Sequence, residues 1–192
     1  MSLGYCQSAP LRWFNNMSLK IIQIMSNDLR PSEQVYRGLK RAGIDLVASV
    51  PCVNLQELLC LLSSDPDIIH IPVTREEEGI GVCAGAYMGG MSPAIAMQNS
   101  GLGNSINALA SLDMLYGIPL LMVISHRGTQ GERLVGQIPM GRLTEPLLKT
   151  MGIPFFRPRP HEAEKAVEGA WSLALNEMRP VAVLLDIKFW GR

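Results

Sequence analysis

From about residue 30 onward, apolar residues alternate between two spacings along the chain. Short continuous apolar runs such as Ile118–Ile124 indicate strands that are buried on both faces. Stretches with an apolar residue every three or four positions predict helices between these strands. The predicted strands cover 45–50, 68–73, 93–97, 118–124, 153–156 and 180–187, and the predicted helices cover 31–42, 54–63, 76–90, 104–116, 143–151 and 161–177.

This alternation defines the predicted fold class. Strands that are separated by helices of this length require crossover connections, which join parallel strands. We therefore expect an α/β fold at residues 29–192, a single three-layer domain with a mostly parallel sheet covered by helices. Residues 1–28 are predicted to be a variable N-terminal arm. In such folds ligands bind beyond the carboxyl ends of the strands, so the loops at that edge are the candidate site.

Composition and charge narrow the function classes. Lys plus Arg and Asp plus Glu number 17 each, and this balance argues against a nucleic-acid-binding protein. The apolar runs are shorter than the roughly 20 residues of a membrane-spanning helix. The cysteines form no CxxC pair and have no histidine at zinc-ligand spacing, which favours a reducing, cytoplasmic compartment and core cysteines. These cysteines are Cys6, Cys52, Cys60 and Cys83.

An acidic, glycine-rich helix is predicted after the second strand. Glu77, Gly81 and Gly85 lie four residues apart, so they share one face of that helix. Each interior glycine costs about 1 kcal/mol relative to alanine. Two interpretations remain open. The glycines could let a ligand approach the backbone, or they could allow tight packing on the sheet, with Glu76–Glu78 as an ordinary acidic first turn.

Three further loops carry candidate chemistry at the same edge of the sheet. The predicted turn Gln98–Asn104 contains two glycines, and Asn104 is expected to cap the next helix. Arg127 is predicted to bind an anionic group, with a surface or intersubunit ion pair as the alternative. His126 could donate a proton or be structural. Asn54 could contact substrate or, more simply, cap a helix, and Gln137 lies in a long loop that could close over substrate.

Three segments, taken in order and with their spacing, resemble the pyrimidine-binding domain of thiamine-diphosphate-dependent 2-oxoacid decarboxylases. They are Glu77–Tyr87, Gln98–Asn104 and Asp113–Leu121. His126–Gly128 and Gln137–Gly141 extend the resemblance, which covers roughly residues 30–188. The resemblance implies that the domain binds the pyrimidine half of thiamine diphosphate and takes part in decarboxylation of a 2-oxo acid.

The resemblance also implies roles for particular residues. The family places a catalytic glutamate ten residues before the tyrosine of the acidic helix, which is Glu77 here. Its carboxyl would hydrogen-bond the ring nitrogen of the aminopyrimidine. Glu76 and Glu78 would point about 100° away and be surface or interface groups. The expected cofactor-binding residues are Glu77, Gly81, Asn99, Ser100, Gly101, Leu102, Gly103 and Asn104, and the expected substrate residues are Asn54, His126, Arg127 and Gln137.

One motif of the family is missing from this sequence. Thiamine-diphosphate enzymes hold the diphosphate and Mg²⁺ through a Gly-Asp-Gly segment, which the chain does not contain. The resemblance therefore implies that a second subunit carries the diphosphate-binding domain and the metal ligands, with this chain as a homodimer or higher oligomer. The implied substrate is an anionic 2-oxo acid, with 3-sulfopyruvate expected first and phosphonopyruvate as the alternative. A non-catalytic binding or regulatory subunit of the same fold is the remaining alternative.

Overall fold

A computed structural model describes residues 30–191, so the predicted arm at 1–28 and Cys6 lie outside the described residues. The described part contains one sheet and helices on both of its faces. The strands are β1 (Leu46–Ser49), β2 (Ile69–Pro72), β3 (Pro93–Gln98), β4 (Leu120–His126), β5 (Phe155–Phe156) and β6 (Pro180–Asp186). The main helices are α1 (Pro31–Arg41), α2 (Gln56–Ser64), α3 (Glu76–Met88), α4 (Asn99–Ala108), α5 (Ile138–Thr150) and α6 (Ala163–Glu177).

All paired strands of the sheet are parallel, in the order β2-β1-β3-β4-β6-β5. The predicted α/β class is therefore confirmed. The chain runs from β1 outward to β2 and then returns to β3 on the other side of β1. This reversal creates a crevice at the carboxyl ends of β1 and β3, where ligands of open α/β sheets bind. The carboxyl ends of the strands together form what we call the carboxyl edge.

Alternating strand residues divide the core into two apolar layers. Val47 packs in one layer with residues of α1, α2 and α6, whereas Leu46 and Ala48 pack in the other with residues of α3, α4 and α5. Both faces of the central strands are covered, and β4 is buried over its whole length. This arrangement explains why the strands read as continuous apolar runs in the sequence.

Two helices begin earlier than the sequence pattern predicts. Helix α4 begins at Asn99, directly after β3, so the predicted turn Gln98–Asn104 is mostly helical. The prediction that Asn104 caps this helix is therefore wrong, because Asn104 lies within it. Helix α5 begins at Ile138 with a proline in its first turn, where the missing N–H costs nothing. The loop after β4 is consequently shorter than predicted.

The helix after β3 also ends in an unusual geometry. Its last segment, Leu109–Met114, is a π-helix, and Asp113 within it is completely buried. Single π-turns inside helices often occur where a side chain has a special role. Over residues 30–191 we find no helix with the length and apolar character needed to span a bilayer.

Candidate functional site

The loops after β1, β3 and β4 bring polar side chains together at the carboxyl edge. The Asn54 amide donates a hydrogen bond to Ser125 Oγ at 3.2 Å, and the Cys52 thiol lies 3.7 Å from Gln98 Oε1. Asn54 is buried in the short turn Val53–Leu55, and Leu55 is the residue that precedes α2. The prediction that Asn54 caps the helix is therefore wrong, because its side chain links β1 to β4 instead.

A buried carboxyl stands at the start of α3. Glu76 is only 8% exposed, and its Oε2 accepts a hydrogen bond of 2.9 Å from the Asn104 amide. Gly101 of α4 faces the same side chain so closely that a Cβ there would lie 2.2 Å from Glu76 Cγ. The second oxygen, Oε1, accepts no hydrogen bond from the part of the chain that the structure describes. Glu76 is thus enclosed between α3 and α4, with Oε2 held by Asn104 and Oε1 close to Gly101.

The rotation of α3 explains why Glu76 is the buried glutamate. Glu76 lies four residues before Ile80 and seven before Cys83, and both of these are completely buried in the core. Residues at these spacings share one helix face. Gly79 fixes the rotation, since a Cβ at this position would lie 2.7 Å from Ile95 Cδ1 of the sheet. The prediction that Glu76 is a surface residue is wrong for this reason.

Glu77 lies on a different face of α3. Its Oε1 forms an ion pair of 2.6 Å with Arg75, and its side chain is 30% exposed. Its Oε2 is buried without a hydrogen-bond partner among residues 30–191. Gly81 and Gly85 share the face of Glu77, and within the described range no neighbour lies within 4 Å of the position a Cβ would take at either glycine. Glu77 and Gly81 therefore do not join the contact between Glu76, Gly101 and Asn104.

The two classes of glycine should respond differently to an added methyl group. Gly101→Ala is expected to destabilise the chain by about 1–3 kcal/mol, because the Cβ would overlap the Glu76 side chain. The matched control Gly81→Ala is expected to stabilise it by about 0.5–1 kcal/mol, because the helix gains propensity without a clash. Urea unfolding of the purified full-length variants measures both values. Equal effects at the two positions would contradict the tight Gly101 contact.

The first residue of α4 joins three elements of the site. Asn99 is completely buried, donates hydrogen bonds to Thr144 Oγ1 at 2.9 Å and to the Arg127 carbonyl at 3.1 Å, and accepts one from the Arg127 N–H at 3.0 Å. Ser100 Oγ accepts a hydrogen bond of 3.0 Å from the Gln98 amide. Asn99 therefore holds the end of β3, the loop after β4 and α5 together.

The remaining predicted residues of α4 have mixed environments. Leu102 is completely buried in the core, so its side chain has a packing role. Gly103 faces the thioether of Met140 of α5, with 3.8 Å to the sulfur from the position of a Cβ. The backbone of Leu102 and Gly103 lies at the carboxyl edge, but neither residue has a polar side chain.

The loop after β4 contains a buried ion pair that sequence reasoning did not identify. Arg127 donates to both oxygens of Glu132, from Nε at 2.6 Å and from Nη2 at 2.8 Å. The two side chains are 12% and 4% exposed. The hydrogen bonds from Arg127 are the main reason that the pKa of Glu132 falls to about 2. Arg127 was predicted to bind an anion of the substrate, and one edge of its guanidinium is already occupied.

His126 and Gln137 complete the site on the β4 side. His126 is 2% exposed, and its Nε2 donates to the Gly141 carbonyl at 3.0 Å. Its Nδ1 is buried without a hydrogen-bond partner in residues 30–191. Gln137 Oε1 accepts a hydrogen bond of 2.9 Å from the Gln98 amide. The loop after β4 thus contacts the end of β3 through Gln137.

The fold and the site together define a class of protein. The parallel sheet with helices on both faces and the acidic, glycine-rich helix α3 agree with the fold that the resemblance implies, that of a pyrimidine-binding domain of a thiamine-diphosphate enzyme. Residues 30–147 match the family described as "Thiamine pyrophosphate enzyme, N-terminal TPP binding domain".

Comparison with individual proteins narrows the class. The "Sulfopyruvate decarboxylase subunit alpha" of Methanococcus maripaludis is 55% identical over 163 residues, which are 84% of this chain and 98% of that protein. The chain therefore belongs to the thiamine pyrophosphate enzyme family and, within it, to the group of sulfopyruvate decarboxylase alpha subunits. A "Phosphonopyruvate decarboxylase" of Streptomyces viridochromogenes is 42% identical over 112 residues, 58% of this chain and 28% of that protein.

Solved structures support the fold at much lower sequence identity. Benzoylformate decarboxylase from Polynucleobacter necessarius superimposes with a TM-score of 0.64 and 17% identity, over 84% of this chain and 31% of that chain. At this identity the likeness concerns the fold alone. It matches the observed parallel sheet with helices on both faces.

Proposed function

We propose that the chain is the alpha subunit of a thiamine-diphosphate-dependent sulfopyruvate decarboxylase, which converts 3-sulfopyruvate to sulfoacetaldehyde and carbon dioxide. The observation that carries the proposal is the 55% identity to an alpha subunit of that name over 98% of its length. The buried, unpartnered Oε2 of Glu77 on the open glycine face of α3 supports it, because a carboxyl on this face can reach a cofactor that lies between two subunits.

The residues of the site fit the proposed cofactor. Bound thiamine diphosphate supplies the electron sink that accepts the electrons when carbon dioxide leaves the 2-oxo acid. We propose that Glu77, as the resemblance implies, is the carboxyl that hydrogen-bonds the pyrimidine ring, because it shares the open face of α3 with Gly81 and Gly85. Arg75 holds Oε1 of Glu77 at 2.6 Å, and Oε2, which is buried without a hydrogen-bond partner among residues 30–191, is left for the ring. The backbone at Gly101 and Gly103, which carries no side chain, forms the adjacent wall.

The metal and the diphosphate are assigned to a second subunit. Within residues 30–191 no group of three His, Cys, Asp or Glu side chains is arranged to hold a metal ion. The chain also contains no Gly-Asp-Gly segment. The word "alpha" in the names of the relatives supports a second subunit. That subunit would carry the Mg²⁺ ligands, and the cofactor would lie between the two chains.

The exposed face of α3 and the π-helix is the proposed surface for another subunit. Gly81 and Gly85 of α3 leave the helix backbone open. Leu115 and Tyr116, which follow the π-helix, are 67% and 70% exposed. Open glycines let a second helix approach closely, and exposed apolar side chains mark interaction surfaces. We propose that this face packs against the second subunit or a further copy of the chain in a dimer or higher oligomer.

The polar network on the β4 side is the proposed substrate side of the site. Gln98, Gln137 and Asn54 lie there with the guanidinium of Arg127. Guanidinium groups bind sulfonate, phosphonate and carboxylate oxygens by paired hydrogen bonds. We assign Arg127 to the anionic group of the substrate. His126 keeps a candidate role as proton donor, which its unpartnered Nδ1 can fill only in the doubly protonated ring, because Nε2 donates to the Gly141 carbonyl.

The substrate assignment predicts a clear preference between two 2-oxo acids. The complex of this chain with its second subunit, supplied with thiamine diphosphate and Mg²⁺, is expected to release carbon dioxide from 3-sulfopyruvate with a kcat/KM at least about tenfold above that for phosphonopyruvate. A coupled assay for the aldehyde product measures both. A reversed preference would favour the phosphonopyruvate alternative, which the 42% identity to such an enzyme motivates. If neither acid were turned over, the remaining interpretation would be a non-catalytic binding or regulatory subunit of the same fold.

A further inference from the structure

The Glu132 carboxylate accepts four hydrogen bonds from its own chain. Its Oε1 accepts from Arg127 Nη2 at 2.8 Å and from the Leu134 N–H at 3.0 Å. Its Oε2 accepts from Arg127 Nε at 2.6 Å and from the Gly128 N–H at 3.2 Å. Each oxygen therefore uses two acceptor positions, which is the full capacity of an ionised carboxylate. Glu132 has no capacity left for substrate, so it acts only on its own chain.

Glu132 also determines which side of Arg127 is available. The pair uses the edge of the guanidinium formed by Nε and Nη2. Arg127 also interacts with Cys52, which adds to the rise that Glu132 causes in the pKa of Arg127. Cys52 belongs to the loop after β1 and contacts Gln98. Glu132 thus leaves Nη1 of Arg127 unused, and Arg127 interacts with Cys52, which contacts the polar network through Gln98.

The same pair holds a tightly folded loop. We call residues 127–137 the Arg127 loop. Gly128 has a φ of 77°, and a Cβ there would lie 2.1 Å from the Gln137 carbonyl oxygen and 2.9 Å from Gly141 Cα. The two ends of the loop are therefore in contact. Gln137 at one end reaches Gln98, and Arg127 at the other is fixed by Glu132.

We propose that Glu132 is a positioning residue for substrate recognition: it orients the Arg127 guanidinium toward the polar network and fastens the Arg127 loop over the site. The proposal rests on the proposed function, since it assigns Arg127 to the anionic group of the substrate. A buried arginine without its partner would be strongly unfavourable and would leave this position. Glu132 thereby holds the Arg127 side chain in one orientation.

Glu132→Gln tests the proposal because it keeps the shape and removes the charge. In the variant an NH₂ group replaces one carboxylate oxygen and faces the two N–H donors that this oxygen now binds. At least two of the four hydrogen bonds to the side chain are therefore lost. We expect KM for 3-sulfopyruvate to rise at least about tenfold, with a smaller change in kcat, because the lost interaction holds the unreacting sulfonate. Amide hydrogen exchange at Gly128 and Leu134 in the full complex is expected to accelerate.

If Glu132 had only a structural role, its substitution would change the affinity for a sulfonate ligand and for a ligand without the sulfonate equally. We therefore compare binding of 3-sulfopropanoate, an unreactive sulfonate, with binding of butanoate by calorimetry on the holo-complex. The variant is expected to lose at least about tenfold in affinity for 3-sulfopropanoate and to bind butanoate as the wild type does. Equal losses for both ligands, or no loss, would overturn the proposal.

The chain offers a matched control in the short helical turn after β5, the outermost strand beside β6. Glu162 also pairs with an arginine and accepts its backbone N–H, from Arg159 Nη2 at 2.5 Å and Arg159 N at 2.9 Å. Glu162→Gln is expected to leave KM and sulfonate affinity unchanged. If the wild-type complex turns over no 2-oxo acid, the proposed function fails, whereas the calorimetry and the hydrogen exchange still decide the role of Glu132.

Discussion

Replacing Glu77 with glutamine is expected to reduce turnover of 3-sulfopyruvate by the complete enzyme by roughly 10²- to 10⁴-fold, the range that a positioned acid or base contributes. The glutamine keeps the size of the side chain, and its carbonyl can still accept from Arg75. It has no carboxyl proton to share through the position of Oε2. Because that oxygen is buried, water does not readily replace it in this role. Initial rates of aldehyde formation measure the loss.

The two neighbouring glutamates are the controls for this substitution. Glu76→Gln and Glu78→Gln are expected to retain most of the activity. Glu76 is enclosed between α3 and α4, where the glutamine carbonyl can still accept from Asn104. Glu78 accepts hydrogen bonds from Thr74 at the helix start. If Glu76→Gln abolished turnover while Glu77→Gln remained active, the tyrosine spacing would identify the wrong carboxyl and the assignment to Glu77 would be wrong.

The sheet was predictable because its signal is local. Continuous apolar runs separated by helix-length segments appear in the sequence, and the core fills both faces of the same runs. Element bounds were less predictable, as in α4, which begins at Asn99 because Gln98 is already the last residue of β3. The Gly-rich sequence after Gln98 is typical of a turn. The contact with Glu76, and not turn geometry, is what requires a small residue at Gly101.

The burial of Glu76 depends on the rotation of one helix. The three consecutive glutamates have different environments because each residue turns the helix by about 100°. The packing of Ile80 and Cys83 turns Glu76 inward and leaves Glu77 on the face of the open glycines. A signal was present in the sequence, because extending the apolar spacing of Ile80 and Cys83 back by one turn reaches Glu76.

Glu132 had no comparable signal. It lies in a segment without apolar periodicity, five residues from Arg127, and the pair forms only because the loop folds back on itself. The tight contact between Gly128 and Gln137 that permits this fold joins residues nine positions apart. Contacts of this kind depend on the whole loop conformation and on its packing against α5. They become visible only in the structure.

Asp113 gives the largest expected effect on stability. It is completely buried in the π-helix, and neither carboxylate oxygen has a hydrogen-bond partner among residues 30–191. Burial raises the pKa of Asp113 from 3.8 to about 7. The charged form is disfavoured because an ion loses its hydration there without a compensating partner. The neighbouring Cys83 offers no compensation, since burial raises the pKa of this thiol to about 12 and keeps it neutral.

The direction of the pH dependence follows from proton binding in the two states. Between pH 3.8 and about 7 the folded chain keeps the Asp113 proton, whereas the unfolded chain has lost it. The folded state therefore binds more protons, and its stability falls as the pH rises through this window. The difference between the two pKa values corresponds to about 4 kcal/mol. This contribution is fully present below pH 3.8 and fully lost above about pH 7.

Asp113→Asn removes this titration while keeping the shape of the side chain. The variant is expected to be more stable than the wild type at pH 8, by up to about 4 kcal/mol, and nearly equal to it at pH 4. Urea unfolding of the full-length chain at a series of pH values measures the difference. Asp67→Asn, at a side chain that is 79% exposed, is the control and should change stability by less than about 0.5 kcal/mol at either pH. If the gain in stability of Asp113→Asn did not grow between pH 4 and pH 8, Asp113 would be ionised in the folded chain, and a partner for its carboxylate would have to exist.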